Sequence, residues 1–287
     1  MSFILSGFVS REVADLLSLR AEESDRLGYP AVASFEEEEG SGVFRVDVYL
    51  QEAFDKTVLL EELGDAVGDF SLSELPQNVD WVKEGLKDLQ PVHEGRFFVH
   101  GSHDSHLCRA HQHSILIEAN QAFGTGHHGT TAGCLQAIAE VTKRHQFNGI
   151  LDLGTGSGVL AIALAKQTKS CVLATDIDAP SIKIAKENMM LNGVSPLVAC
   201  RTAAGFDDPV FKETGPFGLV VANILAGPLC TLARPMTEHL ARNATIILSG
   251  LLIRQKRQVL AAYRAQGAFP VRAIHRNGWA TLILRRV

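Results

Sequence analysis

The chain lacks paired cysteines. Its five, at positions 108, 134, 171, 200 and 230, are odd in number and scattered, with no C-x-x-C. That argues against a disulfide framework and for reduced thiols in a cytoplasm. Long hydrophobic runs are missing too. Of the 287 residues 46% are hydrophobic, enough for a sizeable core. Yet the longest apolar runs are only strand length, far below the ~20 residues of a membrane span. Met1-Ser-Phe-Ile-Leu-Ser has no basic leader and does not read as a signal peptide. Internal repeats and low-complexity segments are not apparent. Basic charge is scarce in the first part. Residues 1–90 carry 7 Lys/Arg and 20 Asp/Glu, a balance of -13, whereas residues 91–287 carry 20 and 12, a balance of +8. The split suggests two units with different tasks. An acidic first unit suits a basic partner and repels nucleic-acid phosphates, or it serves solubility alone.

The first ~75 residues alternate in element type. Phe3–Phe8 reads as a strand, Arg11–Leu27 as a helix and Ala31–Phe35 as a strand. Gly40-Ser-Gly42 turns into strand Val43–Leu50, then helix Lys56–Val67 and strand Asp69–Leu75. That β-α-β-β-α-β order is the ferredoxin-like split unit, a common fold that names no function. Pro76 ends it. The expected divisions are a ferredoxin-like domain over 1–76, a linker helix (Val79–Leu89) and connection over 77–101, and a second domain over 102–287.

Within that second domain the most informative stretch is Leu151-Asp-Leu-Gly-Thr-Gly-Ser-Gly-Val159. An apolar strand runs into glycines at 154, 156 and 158, and a helix over Val159–Gln167 follows. Glycine lets a backbone approach a ligand where a side chain would clash. A strand, glycine loop and helix form the nucleotide-holding corner of a doubly wound sheet. A dinucleotide fingerprint needs a third glycine at 159, where Val159 stands. The spacing G-x-G-x-G instead looks like the S-adenosylmethionine loop of class I methyltransferases. Asp176 closes the next strand and can accept both ribose hydroxyls of a bound adenosine. Further strands are expected at 197–201, 217–222 and 245–248, with helices over 180–192, 228–242 and 253–266. Asn277-Gly278 sits between two strand-like runs and signals a hairpin. An antiparallel hairpin closing a parallel sheet is unlike the dinucleotide fold and like the methyltransferase sheet.

Two more segments carry chemistry. Gln121-Ala-Phe-Gly-Thr-Gly-His-His-Gly-Thr-Thr131 precedes a helix. It reads as a loop that folds over a ligand with Thr131 donating to it, or as an ordinary helix N-cap. Val220-Val-Ala-Asn-Ile-Leu-Ala226 places Asn223 at a strand's carboxyl end, where open α/β sheets bind ligands. Its side-chain carbonyl can accept from a substrate amine, though an isolated asparagine there is also a common turn residue. The stretch lacks the Asn-Pro-Pro-Tyr expected of nucleic acid or glutamine amide methyltransferases.

Ala122–Thr131, Leu151–Gly158, Asp176-Ile-Asp178 and Val221-Ala-Asn-Ile-Leu-Ala-Gly-Pro-Leu229 together resemble the PrmA family, bacterial methyltransferases of protein eleven of the large ribosomal subunit. The likeness covers nearly the whole chain. It implies a class I S-adenosylmethionine-dependent methyltransferase with a Rossmann-like doubly wound sheet and terminal antiparallel hairpin, preceded by a small α+β ferredoxin-like domain that recognises substrate. It implies S-adenosyl-L-methionine as cofactor, with contacts at Thr131, Gly154, Asp176 and Asn223. Gly156 belongs to the same cofactor loop. The reaction implied is methylation of lysine side chains and an amino-terminal amine. The expected partner is that basic ribosomal protein, with no nucleic acid, no membrane, a monomeric state and a cytoplasmic location. Gly129 departs from many relatives. A lysine methyltransferase acting on another protein is the alternative.

The mechanism this implies needs a neutral amine held in line with the methyl–sulfur bond, about 3–3.5 Å away. Asn223 is expected to position it as the catalytic residue, Asp176 to hold the ribose, Gly154 to permit backbone approach and Thr131 to close the loop. Proton loss to water suffices, although His127 or His128 could act as a base. His100, His103, His106, His111 and His113 lie near Cys108, but one cysteine without a pair is a poor zinc pattern, and no metal is expected.

Overall fold

The computed structural model describes residues 3–287 except 25, 29, 37–40, 51, 75–90, 118–127 and 144. The chain divides into two compact units, Met1–Trp81 and Val82–Val287.

The first unit runs β1 (Phe3–Ser10), α1 (Arg11–Glu23), β2 (Ala31–Glu36), β3 (Val43–Leu50), α2 (Lys56–Leu63) and β4 (Ser71–Glu74). Its strands are ordered β2-β3-β1-β4, every neighbour antiparallel. This is the ferredoxin-like arrangement that the alternation predicts. Period-two patterning puts Leu5, Val46, Val48 and Leu50 into one core with Leu17, Ala21, Leu59 and Leu63 from the helices. Gly7 is required where it stands, because a Cβ there would lie 2.1 Å from the Phe70 ring.

The second unit begins with a small sheet of β5 (Val92–Glu94), β6 (Phe97–His100) and β7 (His113–Leu116). The strand that the sequence suggests at Arg96–His100, within the 77–101 connection, is β6. Phe97 and Phe98 are fully buried, and β6 pairs in parallel with β7, so burial of the two rings recruits the segment into the larger unit. The expected helix over 79–89 lies outside the described residues.

The main sheet follows: α3 (His128–Thr142), β8 (Ile150–Leu153), α4 (Val159–Thr168), β9 (Val172–Asp176), α5 (Ala179–Leu191), β10 (Val198–Thr202), α6 (Val210–Thr214), β11 (Phe217–Asn223), α7 (Ala226–Thr231), α8 (Ala233–Glu238), β12 (Leu240–Leu252), α9 (Lys256–Arg264), β13 (Ala268–Arg276) and β14 (Trp279–Arg286). Strand order is β10-β9-β8-β11-β12-β14-β13, parallel from β10 to β12, with β14 antiparallel to both neighbours. Alternate residues sort between two cores. Ile150, Val172, Leu219, Val221 and Ile247 face the side of α3, α4 and α5. Leu151, Leu173, Val220, Ile246 and Leu248 face the side of α7, α8 and α9. Burial on both faces explains why these strands read as continuous apolar runs.

The hairpin turn is at Asn277-Gly278, both with positive φ (46° and 82°), as such a turn demands. The single helix expected over 228–242 is instead two short ones, α7 and α8, and β12 starts at Leu240. Pro235, inside that run, has no N–H to donate to the preceding turn. Among the described residues, no helix is long and apolar enough to cross a membrane.

Candidate active site

Sheet register gathers the residues that the sequence scatters. Leu153 of β8 pairs with Thr175 of β9 on one side and Ala222 of β11 on the other. The next position on each strand therefore forms one row at the carboxyl ends: Asp176, Gly154 and Asn223. Asn223 pairs in turn with Ser249 of β12, which extends the row. At a strand spacing of about 4.8 Å, the backbones of Asp176 and Asn223 stand on the order of 10 Å apart, with the glycine loop between them.

The loop is held from below. Gly154 and Thr155 both donate backbone N–H to Thr175 O, at 2.8 and 2.9 Å. Asn188 of α5 is buried, and its Nδ2 donates 2.9 Å to Ser157 O. Thr155 Oγ1 donates 2.6 Å to Asp152 Oδ2 beneath the loop. Burial pushes the Asp152 carboxyl up to about 7; the Thr155 bond opposes that, and the neighbouring Asp176 charge adds to it.

All three glycines have positive φ: 72° at 154, 54° at 156 and 87° at 158. They serve different ends. A Cβ at Gly154 would meet Ile224 Cγ2 at 2.3 Å, and one at Gly158 would crowd Met189 and Ala185 of α5 at 3.2–3.4 Å. Among the described residues, a Cβ at Gly156 would meet no atom within 4 Å, so this glycine presents bare backbone at the strand ends.

Asp176 is partly exposed beside that backbone. Its Oδ2 accepts Gly156 N–H at 2.8 Å and its Oδ1 accepts Asp178 N–H at 3.0 Å. Each oxygen keeps a lone pair for a ligand hydroxyl. Ile177 beside it is 74% exposed, an apolar surface next to a polar acceptor. Bare glycine backbone, a carboxylate with spare acceptor capacity and an exposed aliphatic side chain fit an adenosine group.

Asn223 is also partly exposed, and its Nδ2 donates to Thr130 Oγ1 at 3.4 Å. Its Oδ1 is a carbonyl acceptor suited to an amine N–H. Thr131 lies in the first turn of α3 and is 6% exposed. The segment 121–127, including His127, lies outside the described residues, as does the side chain of His128. A Cβ at Gly129 would touch Arg276 O at 3.2 Å and Trp279 Cδ1 at 3.3 Å, so the terminal hairpin crowds this position.

The histidines near Cys108 do separate work. His100 contacts Gly101 O and Ser114 Oγ, both at 2.7 Å; His113 contacts Gln167 Oε1 at 3.1 Å; and His103 pairs with Asp104 at 3.1 Å. No group of His, Cys, Asp or Glu that could hold a metal ion occurs among the described residues. Sequence reasoning missed Asn188, Ser249 and Thr281. The first is one polar residue on an amphipathic helix. The other two are hydroxyls in apolar strands, and only pairing reveals their company.

Comparison with known proteins gives the chain's relatives. Residues 10–287 match the family model described as ribosomal protein L11 methyltransferase (PrmA). A ribosomal protein L11 methyltransferase of Bradyrhizobium diazoefficiens is 47% identical over 286 residues, covering 98% of this chain and 95% of its own. One from Agrobacterium fabrum is 45% identical over 279 residues, covering 96% and 94%. A crystal structure of ribosomal protein L11 methylase from Lactobacillus delbrueckii subsp. bulgaricus superposes with a TM-score of 0.61 at 27% identity, over 69% of this chain and 99% of that one.

Proposed function

The chain belongs to the ribosomal protein L11 methyltransferase family and is an S-adenosylmethionine-dependent methyltransferase, and we propose that it methylates amines of ribosomal protein L11, on lysine side chains and at the amino terminus. The row Asp176–Gly154–Asn223 supports this reading, because a carboxylate, a glycine loop and a side-chain amide stand side by side there.

S-adenosylmethionine, when bound, supplies a methyl group already activated for transfer. Asp176 would hold it through the ribose hydroxyls, and the backbone from Gly154 to Gly156 would face it, Gly156 having no described neighbour for a side chain to meet. Thr131, in the first turn of α3, would donate a hydrogen bond to it. Asn223 Oδ1 accepts one N–H of the substrate amine, which orients the nitrogen lone pair. Orientation of this kind supplies much of the rate when the reacting group comes ready activated. The amine, with an ordinary pKa of about 10.4, loses its proton to water before it reacts. The acidic first unit suits a basic protein substrate: residues 1–90 have a charge balance of -13.

The test is methyl transfer from labelled S-adenosylmethionine into purified L11, with mass spectrometry locating the methyls. Label on lysines or the α-amine, lost with Asn223→Ala, is the expected result. Label on a different protein in a lysate, with L11 unlabelled, would keep the chemistry and reject the substrate. Cofactor binding with no label on any protein would reject the enzyme reading.

A further inference from the structure

A buried cluster of hydroxyls, joined through the Thr130 main chain, lies behind Asn223. Thr130 and Ser249 are fully buried and Thr281 is 2% exposed. Ser249 Oγ lies 2.8 Å from Thr281 Oγ1 and 3.4 Å from Thr130 O. A carbonyl only accepts, so the hydrogens are ordered: Thr281 donates to Ser249, and Ser249 donates to Thr130 O. Thr130 Oγ1 then accepts from Asn223 Nδ2 at 3.4 Å. The cluster crosses from β14 through β12 to the first turn of α3 and ends on the strand that carries Asn223.

A second observation shows how tightly these elements are drawn together. A Cβ at Gly133, one turn into α3, would stand 2.3 Å from Thr281 Oγ1. Glycine inside a helix is unfavourable by up to ~1 kcal/mol relative to alanine. Here it admits the Thr281 hydroxyl to the helix surface.

We propose that Thr281, Ser249 and Thr130 are positioning residues: Thr281 and Ser249 hold the Thr130 main chain, so that the Thr130 hydroxyl meets Asn223 Nδ2 and leaves Asn223 Oδ1 turned to the substrate amine. The proposal rests on the assignment of Asn223 as the acceptor for that amine. Burial keeps all three hydroxyls from the substrate, so they act only through Asn223. A rotated amide would present Nδ2, a donor, to the N–H groups of the amine and lose the contact. Buried networks of this type specify one arrangement when each member is satisfied.

The test compares Ser249→Ala and Thr281→Val with the parent enzyme, each alone and combined with Asn223→Ala. It measures kcat, KM for S-adenosylmethionine and the thermal midpoint, with L11 as acceptor. The single variants should lose roughly tenfold in kcat, as a small misplacement of a reacting group does. Their KM for S-adenosylmethionine should stay within about twofold, because the hydroxyls hold the amine contact and not the cofactor. Thr281→Ser, which keeps the hydroxyl, should restore kcat. In the Asn223→Ala background neither change should cost more. A further loss there, of the same size as alone, overturns the proposal, since the hydroxyls would then act independently of Asn223. So does normal kcat in Ser249→Ala and Thr281→Val beside an inactive Asn223→Ala. Normal turnover of Asn223→Ala instead rejects the assignment of Asn223, and this proposal with it.

Discussion

The two ends of the site are built in opposite ways. The glycine corner comes from one contiguous stretch, Leu151–Val159, with Asp176 at the end of the next strand. The corner around Asn223 is assembled from α3, β11, β12 and β14, and Thr130 and Ser249 stand 119 residues apart in sequence. A contiguous corner leaves a spacing that can be read. An assembled corner leaves single polar residues in apolar runs, and these look like noise until register is known.

The comparison sharpens into separable losses. The largest is expected at Asn223. Asn223→Ala should lower kcat by on the order of 10²-fold or more, the size seen when a preorganised polar contact at the reacting centre is removed. Its thermal midpoint should change little, because the side chain is partly exposed. Equal loss of turnover and of fold would sink the role given to Asn223. Asp176→Ala should act on the other end. Cofactor affinity by calorimetry should fall by roughly tenfold to a hundredfold, as for loss of charge-assisted hydrogen bonds. With cofactor near saturation, kcat should largely recover. Unchanged affinity would remove Asp176 from the ribose.

Gly154→Ala should cost less in binding and more in fold. Its φ of 72° and the 2.3 Å approach of Ile224 Cγ2 both oppose a side chain. Strain of this kind is about 1–3 kcal/mol, and each kcal/mol lowers the melting point by roughly 2–4 °C in a unit of this size. Gly156→Ala strains the same loop but meets no atom, so a larger stability loss at 156 than at 154 would contradict the division of labour between the glycines.

A last test concerns pH. The Asp152 carboxyl sits at about 7 in the folded chain, against an ordinary value of 3.8. The folded state therefore holds a proton that the unfolded state has released. The contribution of Asp152 to stability is fully present below pH ~4 and declines as pH rises to ~7. Asp152→Asn should flatten that part of the curve of denaturation free energy against pH. A slope between pH 4 and 7 identical to the parent's would show that burial does not shift this group.

Most of the catalytic frame was legible in the sequence. Apolar runs bounded by glycine and acid gave the parallel strands, and Asn277-Gly278 gave the hairpin. The small unit's alternation gave its topology, because each half-buried strand must show one face to its helices. Other features were not legible for physical reasons. The strand at Arg96–His100 could be read, but its partners β5 and β7 depended on where Phe97 and Phe98 could be buried. Helix 228–242 broke because Pro235 withdraws a donor, and spacing alone had carried it through. Asn188 looked like any polar residue on an amphipathic helix, yet it ties the glycine loop from behind.

What the sequence by itself determined is therefore the local chemistry: a loop without side chains, a carboxylate after the second strand and an asparagine after the fourth. Those follow from short-range rules of backbone freedom and strand period. Tertiary structure alone decided that Asp176, Gly154, Asn223 and Ser249 share one row, and that Thr130 and Thr281 close on it. Pairing register is a long-range choice, set when both faces of the sheet bury their apolar residues together, and no local stretch of chain encodes it.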